Sequence, residues 1–310
     1  MIRIRKTQNE NLIELSEIAQ NSWVDLRDPS QEEIEYVAKS AEIDLDLLSK
    51  MLDENELPRI ERSANATLIV IDAPVVSKDE DGEFVTYPLG IIICKKCLIT
   101  ISVRKVTVLY DFRHSLINNF DTSKKSRFLI QIIGKTAAEY LKILSQIYKD
   151  IEKKEDKLEK STKNEDLLDL LAAQKSLVYI TTSLKENDAV LERLATGNII
   201  KLFNDDSDLL DDALIENRQA IDMANIYREI ASNISSTYAT VVSNNLNDIM
   251  KFLTSVTIVL SIPTMISSFM GMNVGFGSFA ENPFAWLFLL VFSIIASLLV
   301  YLWLKLKKLL

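Results

Sequence analysis

Residues 252–304 read FLTSVTIVLSIPTMISSFMGMNVGFGSFAENPFAWLFLLVFSIIASLLVYLWL, and Glu281 is the only charged side chain among them. Residues 252–270 are 19 in a row without a charge, which as a helix cover ~28 Å and cross the hydrocarbon core once. Residues 284–304 form a second uncharged run of 21, with Trp286, Tyr301 and Trp303 near its ends, where interfacial aromatics are expected. Lys251 precedes the first run, Lys305, Lys307 and Lys308 follow the second, and residues 271–283 between them hold no Lys or Arg. The positive-inside rule therefore places both termini in the cytoplasm and the short connection outside a cell membrane. Residues 1–10 are polar and charged, so no cleaved leader is expected.

The rest of the chain is charged and acidic. Of 310 residues, 35 are Lys or Arg and 44 are Asp or Glu, a net charge of −9. Residues 1–251 hold 43 of the acids and 32 of the bases, hence −11, while residues 305–310 carry +3. A phosphate backbone needs a basic face, so no nucleic-acid partner is expected. Two spans are too few for a polytopic carrier and too many for an ordinary soluble enzyme. No phosphate loop, nucleophile–base pair or catalytic metal constellation is visible, so neither an enzymatic activity nor an organic cofactor is expected.

The first span is not a plain anchor. Thr254, Thr257, Ser261, Thr264 and Ser268 follow one another at steps of three and four and so fall on one helix face. Asn247 and Met250 extend that stripe backwards, and Gly271-Met272-Asn273 closes it. Hydroxyls in a membrane helix can bond to their own backbone or ease helix packing, or they can line a wet path, and the stripe alone leaves both open. The second span has only Ser293 and Ser297 amid Leu, Phe, Ile and Val, as a lipid-facing partner would.

Upstream, residues 1–105 alternate strands and short helices, with strands expected at 2–4, 23–26, 67–75, 84–93 and 98–103. Ser30 and Glu33 have the spacing of a capping box, and Asp81-Gly82 and Lys95-Lys96 read as hairpin turns. Cys94 and Cys97 are half of a tetrahedral metal site with no second pair, and the one histidine, His114, stands among charged residues; two strand cysteines flanking a tight turn is the simpler expectation. From residue 106 onward the chain reads as almost all helix: 125–160 and 164–196 form a hairpin around a polar turn at 161–163. A third helix starts near Asp208, after a run of acids that suits a helix N-terminus. No Gly or Pro falls between Gly197 and Pro263, so this helix can run ~95 Å into the membrane from residue 207 to 270. Residues 230–247 are uncharged and rich in Ser, Thr and Asn, which fits several copies around a water-filled axis better than a lone exposed helix.

The expected organisation is thus an α/β cytoplasmic domain at 1–105, a helical region at 106–204, and a long helix at 205–270 whose end, 252–270, is the first span. An outside loop at 271–283, a second span at 284–304 and a basic tail at 305–310 follow.

A penultimate span ending in Gly271-Met272-Asn273, a short outside loop, a final span and a lysine tail resemble the CorA family of magnesium channels. Tyr238, Ser243-Asn244, Asn247, Met250-Lys251 and Leu253-Thr254 match along the lead-in helix, as do residues 23–30 and 57–61 in the cytoplasmic part. The resemblance implies a funnel-shaped homopentamer in the lipid bilayer, with long helices continuing into the pore-lining first spans and the second spans as an outer ring. It implies that Asn273, with Gly271 and Met272, forms a filter ring for hydrated Mg²⁺. Asn247, Thr254, Thr257, Ser261, Thr264 and Ser268 would then be polar rings, Met250 and Leu253 a hydrophobic gate, and Glu281 a cation attractor at the outer mouth. The family usually carries an aromatic before the triplet, where this chain has Met270 preceded by Phe269, and more acids in the loop than Glu281. Cytoplasmic Mg²⁺ is expected to regulate by bridging subunits at Asp212 and Asp208, and the position facing them falls near Lys50, with Asp53, Glu54 or Glu56 as possible substitutes. A solvated helix start explains the same aspartates equally well. Co²⁺ or Ni²⁺ as cargo, a same-fold Zn²⁺ exporter, and a non-conducting scaffold or sensor are the competing expectations.

Overall fold

The strand at Ala66–Pro74 reads ATLIVIDAP, nearly continuous apolar residues, as a strand buried on both faces should. In the computed structural model, which describes residues 1–75, 83–158, 164–272, 275, 277 and 283–307, it lies inside a seven-stranded mixed sheet. The strands are β1 (Ile2–Gln8), β2 (Asn11–Leu15), β3 (Ser22–Arg27), β4 (Arg59–Arg62), β5 (Ala66–Pro74), β6 (Thr86–Cys94) and β7 (Cys97–Ser102), in the order β2-β1-β3-β7-β6-β5-β4. Only β3 and β7 pair in parallel; every other neighbour is antiparallel.

Alternation along the strands divides the core. Leu68 and Val70 face helix α1 (Gln31–Ala41) and the short α2 (Leu45–Ser49), packing with Ile34, Val37, Leu47, Leu48 and Met51. Ile69 and Ile71 face the other side, against Phe112, Phe128, Leu129, Ile132, Val190 and Leu194. That second layer comes from α3 (Tyr110–Arg113), α4 (Lys125–Leu158) and α5 (Asn164–Ala195). The Ser30–Glu33 capping box opens α1, with both reciprocal bonds made. Helix α6 (Asn204–Met270) contributes Ala220, Ala224 and Ala231, small residues that let it lie close to Tyr140, Leu144, Leu177 and Leu184 of the α4–α5 hairpin. The final helix is α7 (Ala285–Leu306). Residues Met1–Ser235 and Ser236–Leu310 are two separate compact units.

A buried ion cluster fastens the first unit. Asp25 on β3 is held by Arg113 (2.9 and 3.1 Å), Arg27 (2.9 Å) and Arg5 (3.4 Å), while Trp23 donates to Thr100 (2.9 Å). Burial alone would raise the Asp25 carboxyl, yet the guanidiniums of Arg113 and Arg27 hold it below its ordinary value.

Some elements differ from expectation. β1 runs to Gln8 and turns into β2 through Asn9 and Glu10, both left-handed (φ 49° and 65°), a hairpin turn without its usual glycine. β4 is a four-residue edge strand. The expected helix after residue 106 is only the four residues of α3, because Ser115 and Asn119 take φ of 56° and break it. Lys95-Lys96 do connect β6 to β7, whereas Asp81-Gly82 and 161–163 lie outside the described residues.

Asp72 on β5 is a further acid set into the sheet, half-buried. Its carboxylate accepts from Ser183 (2.6 Å) and Asn187 brackets its backbone, yet burial pushes its pKa up from 3.8 to about 6. A raised folded-state value favours the protonated form, so the stability it confers is complete below about 3.8 and is lost as pH rises through about 6. Asp72→Asn should therefore stabilise the full-length protein above pH ~6, by on the order of 2 kcal/mol, and give little gain near pH 4. Thermal unfolding in detergent across that range checks this; a gain equal at both ends would contradict it.

Candidate functional site

Among the described residues two helices are long and apolar enough to cross a membrane, α6 and α7. Along the end of α6, Asn247, Met250, Leu253, Thr254, Thr257, Ser261, Thr264 and Ser268 are all exposed. Ser255, Val256, Val259, Ile262, Pro263 and Ile266, on the opposite side, are buried or half-buried. On α7 the covered face is Leu289, Ser293, Ala296, Ser297, Val300 and Leu304, with small residues at its centre as close helix packing requires. The hydroxyl stripe therefore points away from the helix partner and does not serve the packing of α6 on α7. Thr257 donates to the carbonyl of Leu253 (2.8 Å), Ser261 to Ile258 (2.8 Å) and Thr264 to Leu260 (3.1 Å). With each proton committed inward, the outward hydroxyl oxygens are left as acceptors.

At the top of the stripe the helix ends regularly, Gly271 N–H donating to Ser267 (3.0 Å) and Met272 N–H to Phe269 (3.3 Å). A Cβ on Gly271 would meet Ser267 and Ser268 carbonyls at 3.5 and 3.6 Å, ordinary contacts, so the turn within one chain does not itself demand glycine. Asn273 and Glu281 lie outside the described residues.

The acidic start of α6 separates into two sets. Asp206 is buried and bonded to Arg127 (3.0 Å), with Asp205 also near that guanidinium (3.7 Å). Asp208 and Asp212 are exposed one turn apart, and Glu216 continues the row. Burial first, then the Asp212 charge, raises the Glu216 carboxyl. The sequence reading missed Glu216, although its spacing of four from Asp212 was visible. Across the chain Glu54 pairs with Arg104 (2.9 Å), Glu56 with Arg59, and the Asp53 carboxylate accepts from Asn55 N–H (2.9 Å). Among the described residues no three His, Cys, Asp or Glu side chains gather as a metal site, so a single chain does not bring these acids together. Cys94 and Cys97 are buried at the β6–β7 turn with sulfurs 3.3 Å apart, and His114 lies against the Tyr110 ring. Among the described residues, none of the three belongs to a group of three or more such side chains.

The family model described as CorA-like Mg²⁺ transporter protein matches residues 19–307, from the cytoplasmic sheet through both apolar helices. This chain belongs to the CorA-like family. It is 30% identical over 289 residues to the cobalt/magnesium transport protein CorA of Methanocaldococcus jannaschii, covering 90% of this chain and 88% of that one. A Thermotoga maritima protein of the same description is 22% identical over 84% of this chain and 75% of its own. The complete structure of the CorA magnesium transporter from M. jannaschii superposes with a TM-score of 0.84 at 25% identity, covering 98% of this chain and 96% of that chain. The CorA architecture, a mixed sheet with long helices and two apolar C-terminal helices, is thus the architecture of this chain.

One contact in this CorA-like chain repairs a defect in its first span. Pro263 has no N–H, so the carbonyl of Val259 loses its helical donor. Ser297 of α7 donates to that carbonyl (3.4 Å), whereas Ser293 bonds within its own helix (2.9 Å). Ser297→Ala should lower stability by ~0.6 kcal/mol, within the range of membrane hydrogen bonds, and Ser293→Ala by less. Thermal midpoints in one detergent compare the two; an equal loss would deny Ser297 this role.

Proposed function

We propose that this protein carries Mg²⁺ across the cell membrane as a homopentameric channel, with both termini cytoplasmic, α6 lining the path and α7 facing lipid. The exposed row of hydroxyl oxygens on α6, below Gly271-Met272-Asn273, is the observation that carries this reading. Mg²⁺ sheds water reluctantly, and its bound waters offer only protons outward. Acceptor oxygens at steps of three and four therefore suit a hydrated ion, and a ring of Asn273 amide oxygens would select it at the mouth. Met250 and Leu253, apolar on that face, would close the path by excluding water, and Glu281 would raise local cation concentration. Co²⁺ and Ni²⁺ are the next candidates as cargo, and the curated relatives are named as cobalt/magnesium transport proteins.

For regulation, the row Asp208, Asp212 and Glu216 places like charges a turn apart, which repel until a cation bridges them. Glu54 and Glu56 are already held by Arg104 and Arg59, so Asp53 is the best remaining carboxylate for a neighbouring subunit to offer. Cytoplasmic Mg²⁺ bound there would favour the closed state by its differential affinity.

Flux into liposomes with Mg²⁺, Co²⁺, Ni²⁺ and Zn²⁺ in parallel tests both parts. Mg²⁺ should enter, Asn273→Ala should cut its entry tenfold or more, about 1.4 kcal/mol, with the pentamer intact, and Asp212→Ala should need more internal Mg²⁺ to close. Pentamers that pass no divalent ion would favour the scaffold reading. Selective passage of Zn²⁺ would make that ion the cargo instead, as in the same-fold Zn²⁺ reading, and unchanged closure in Asp212→Ala would remove the regulatory site.

A further inference from the structure

The start of α4, the segment just before α6 and the paired ends of β5 and β6 at Thr67 and Ile93 line an open cavity of about 700 Å³, well within the size of small-molecule pockets. Four cations line it, Lys124, Lys125, Arg127 and Lys201, against two acids, Asp205 and Asp206, although the chain as a whole carries −9. Arg127 is spent on those two acids, at 3.0 and 3.7 Å. Lys125 donates to the carbonyls of Cys94 (2.9 Å) and Lys95 (2.8 Å), neutral partners that leave its charge uncompensated. Lys124 and Lys201 are exposed and have no carboxylate partner among the described residues.

The rest of the lining is different in kind. Ile93, Ile199 and Ile200 supply an apolar wall, and Phe203, 62% exposed, presents a ring with the Lys201 ammonium 5.6 Å from its centre. Ser126 donates to the Lys201 carbonyl (2.9 Å), which fixes this wall beside the first turn of α4. That turn adds the positive end of a 34-residue helix.

We propose that this cavity binds a phosphate-bearing small molecule with a planar ring, of the nucleoside diphosphate class, its phosphates on Lys124, Lys201 and the start of α4 and its ring on Phe203. Cations without a carboxylate partner among the described residues, beside an exposed aromatic ring that already holds an ammonium near its face, are what such a ligand needs. The site lies wholly within Met1–Ser235 and does not depend on the transport reading.

Calorimetric titration of the full-length protein in detergent, in chelator-containing buffer free of divalent cations, compares ADP with inorganic phosphate. ADP should bind once per chain and roughly tenfold more tightly than phosphate, because only ADP carries a ring. The Lys124→Ala/Lys201→Ala variant should weaken ADP tenfold or more, the Lys124→Arg/Lys201→Arg variant should retain it, and Phe203→Ala should weaken ADP while leaving phosphate unchanged. These positions are exposed, so the fold is not at stake. No saturable ADP binding at about 5 mM, the same ADP affinity with both lysines removed, or phosphate as tight as ADP would each overturn the proposal.

Discussion

Hydrocarbon solvates neither a charge nor an unpaired backbone group, and the second unit of this molecule, Ser236–Leu310, is organised by that constraint. The two apolar helices keep their backbone bonds to themselves. The Val259 carbonyl, freed by Pro263, is met by Ser297 of the neighbouring helix. Thr257, Ser261 and Thr264 return their protons to their own helix, which leaves acceptor oxygens on the face of α6 that α7 does not cover.

The first unit obeys the opposite rule: charges are admitted where they are paired. Asp25 is compatible with burial because three guanidiniums surround it, and Asp206 because Arg127 does. The sheet between them is covered on both faces, so its far layer, α4 and α5, offers the surface on which the alanines of α6 lie. The acids left without such partners, Asp208 and Asp212, stand on the exposed side of the same helix. Their position assigns them to solvent, a cation or a neighbouring subunit, not to the packing of this chain.

Much of this was legible in the sequence because the signals were periodic and local. Charge-free runs, hydroxyls at steps of three and four, and the Ser30–Glu33 cap each depend on residues close together in the chain, and each reappears in the structure. The central strands were legible from their apolar density. The edge strands were not: β2 (NLIEL) and β4 (RIER) are short, β4 is mostly charged because an edge has little to bury, and Asn9-Glu10 makes a left-handed turn without the glycine that would announce it. The partnership of Ser297 with Val259 was equally hidden, since it depends on which faces of two helices meet. The cavity at the start of α4 joins residues from 21 to 206, a separation no pattern spans.

The central claim is that the hydroxyl face of α6 lines a water-filled path while the outer face of α7 meets lipid. Single cysteines placed at Thr257, Ser261 and Thr264, and at Phe292, Leu298 and Leu302, in a chain whose Cys94 and Cys97 are replaced by serine, can be tested with a charged, membrane-impermeant thiol reagent in reconstituted membranes. The account predicts that the three α6 positions are modified under conditions that open the path and that the three α7 positions stay unmodified. Protected α6 positions, or modification of both sets alike, would contradict it.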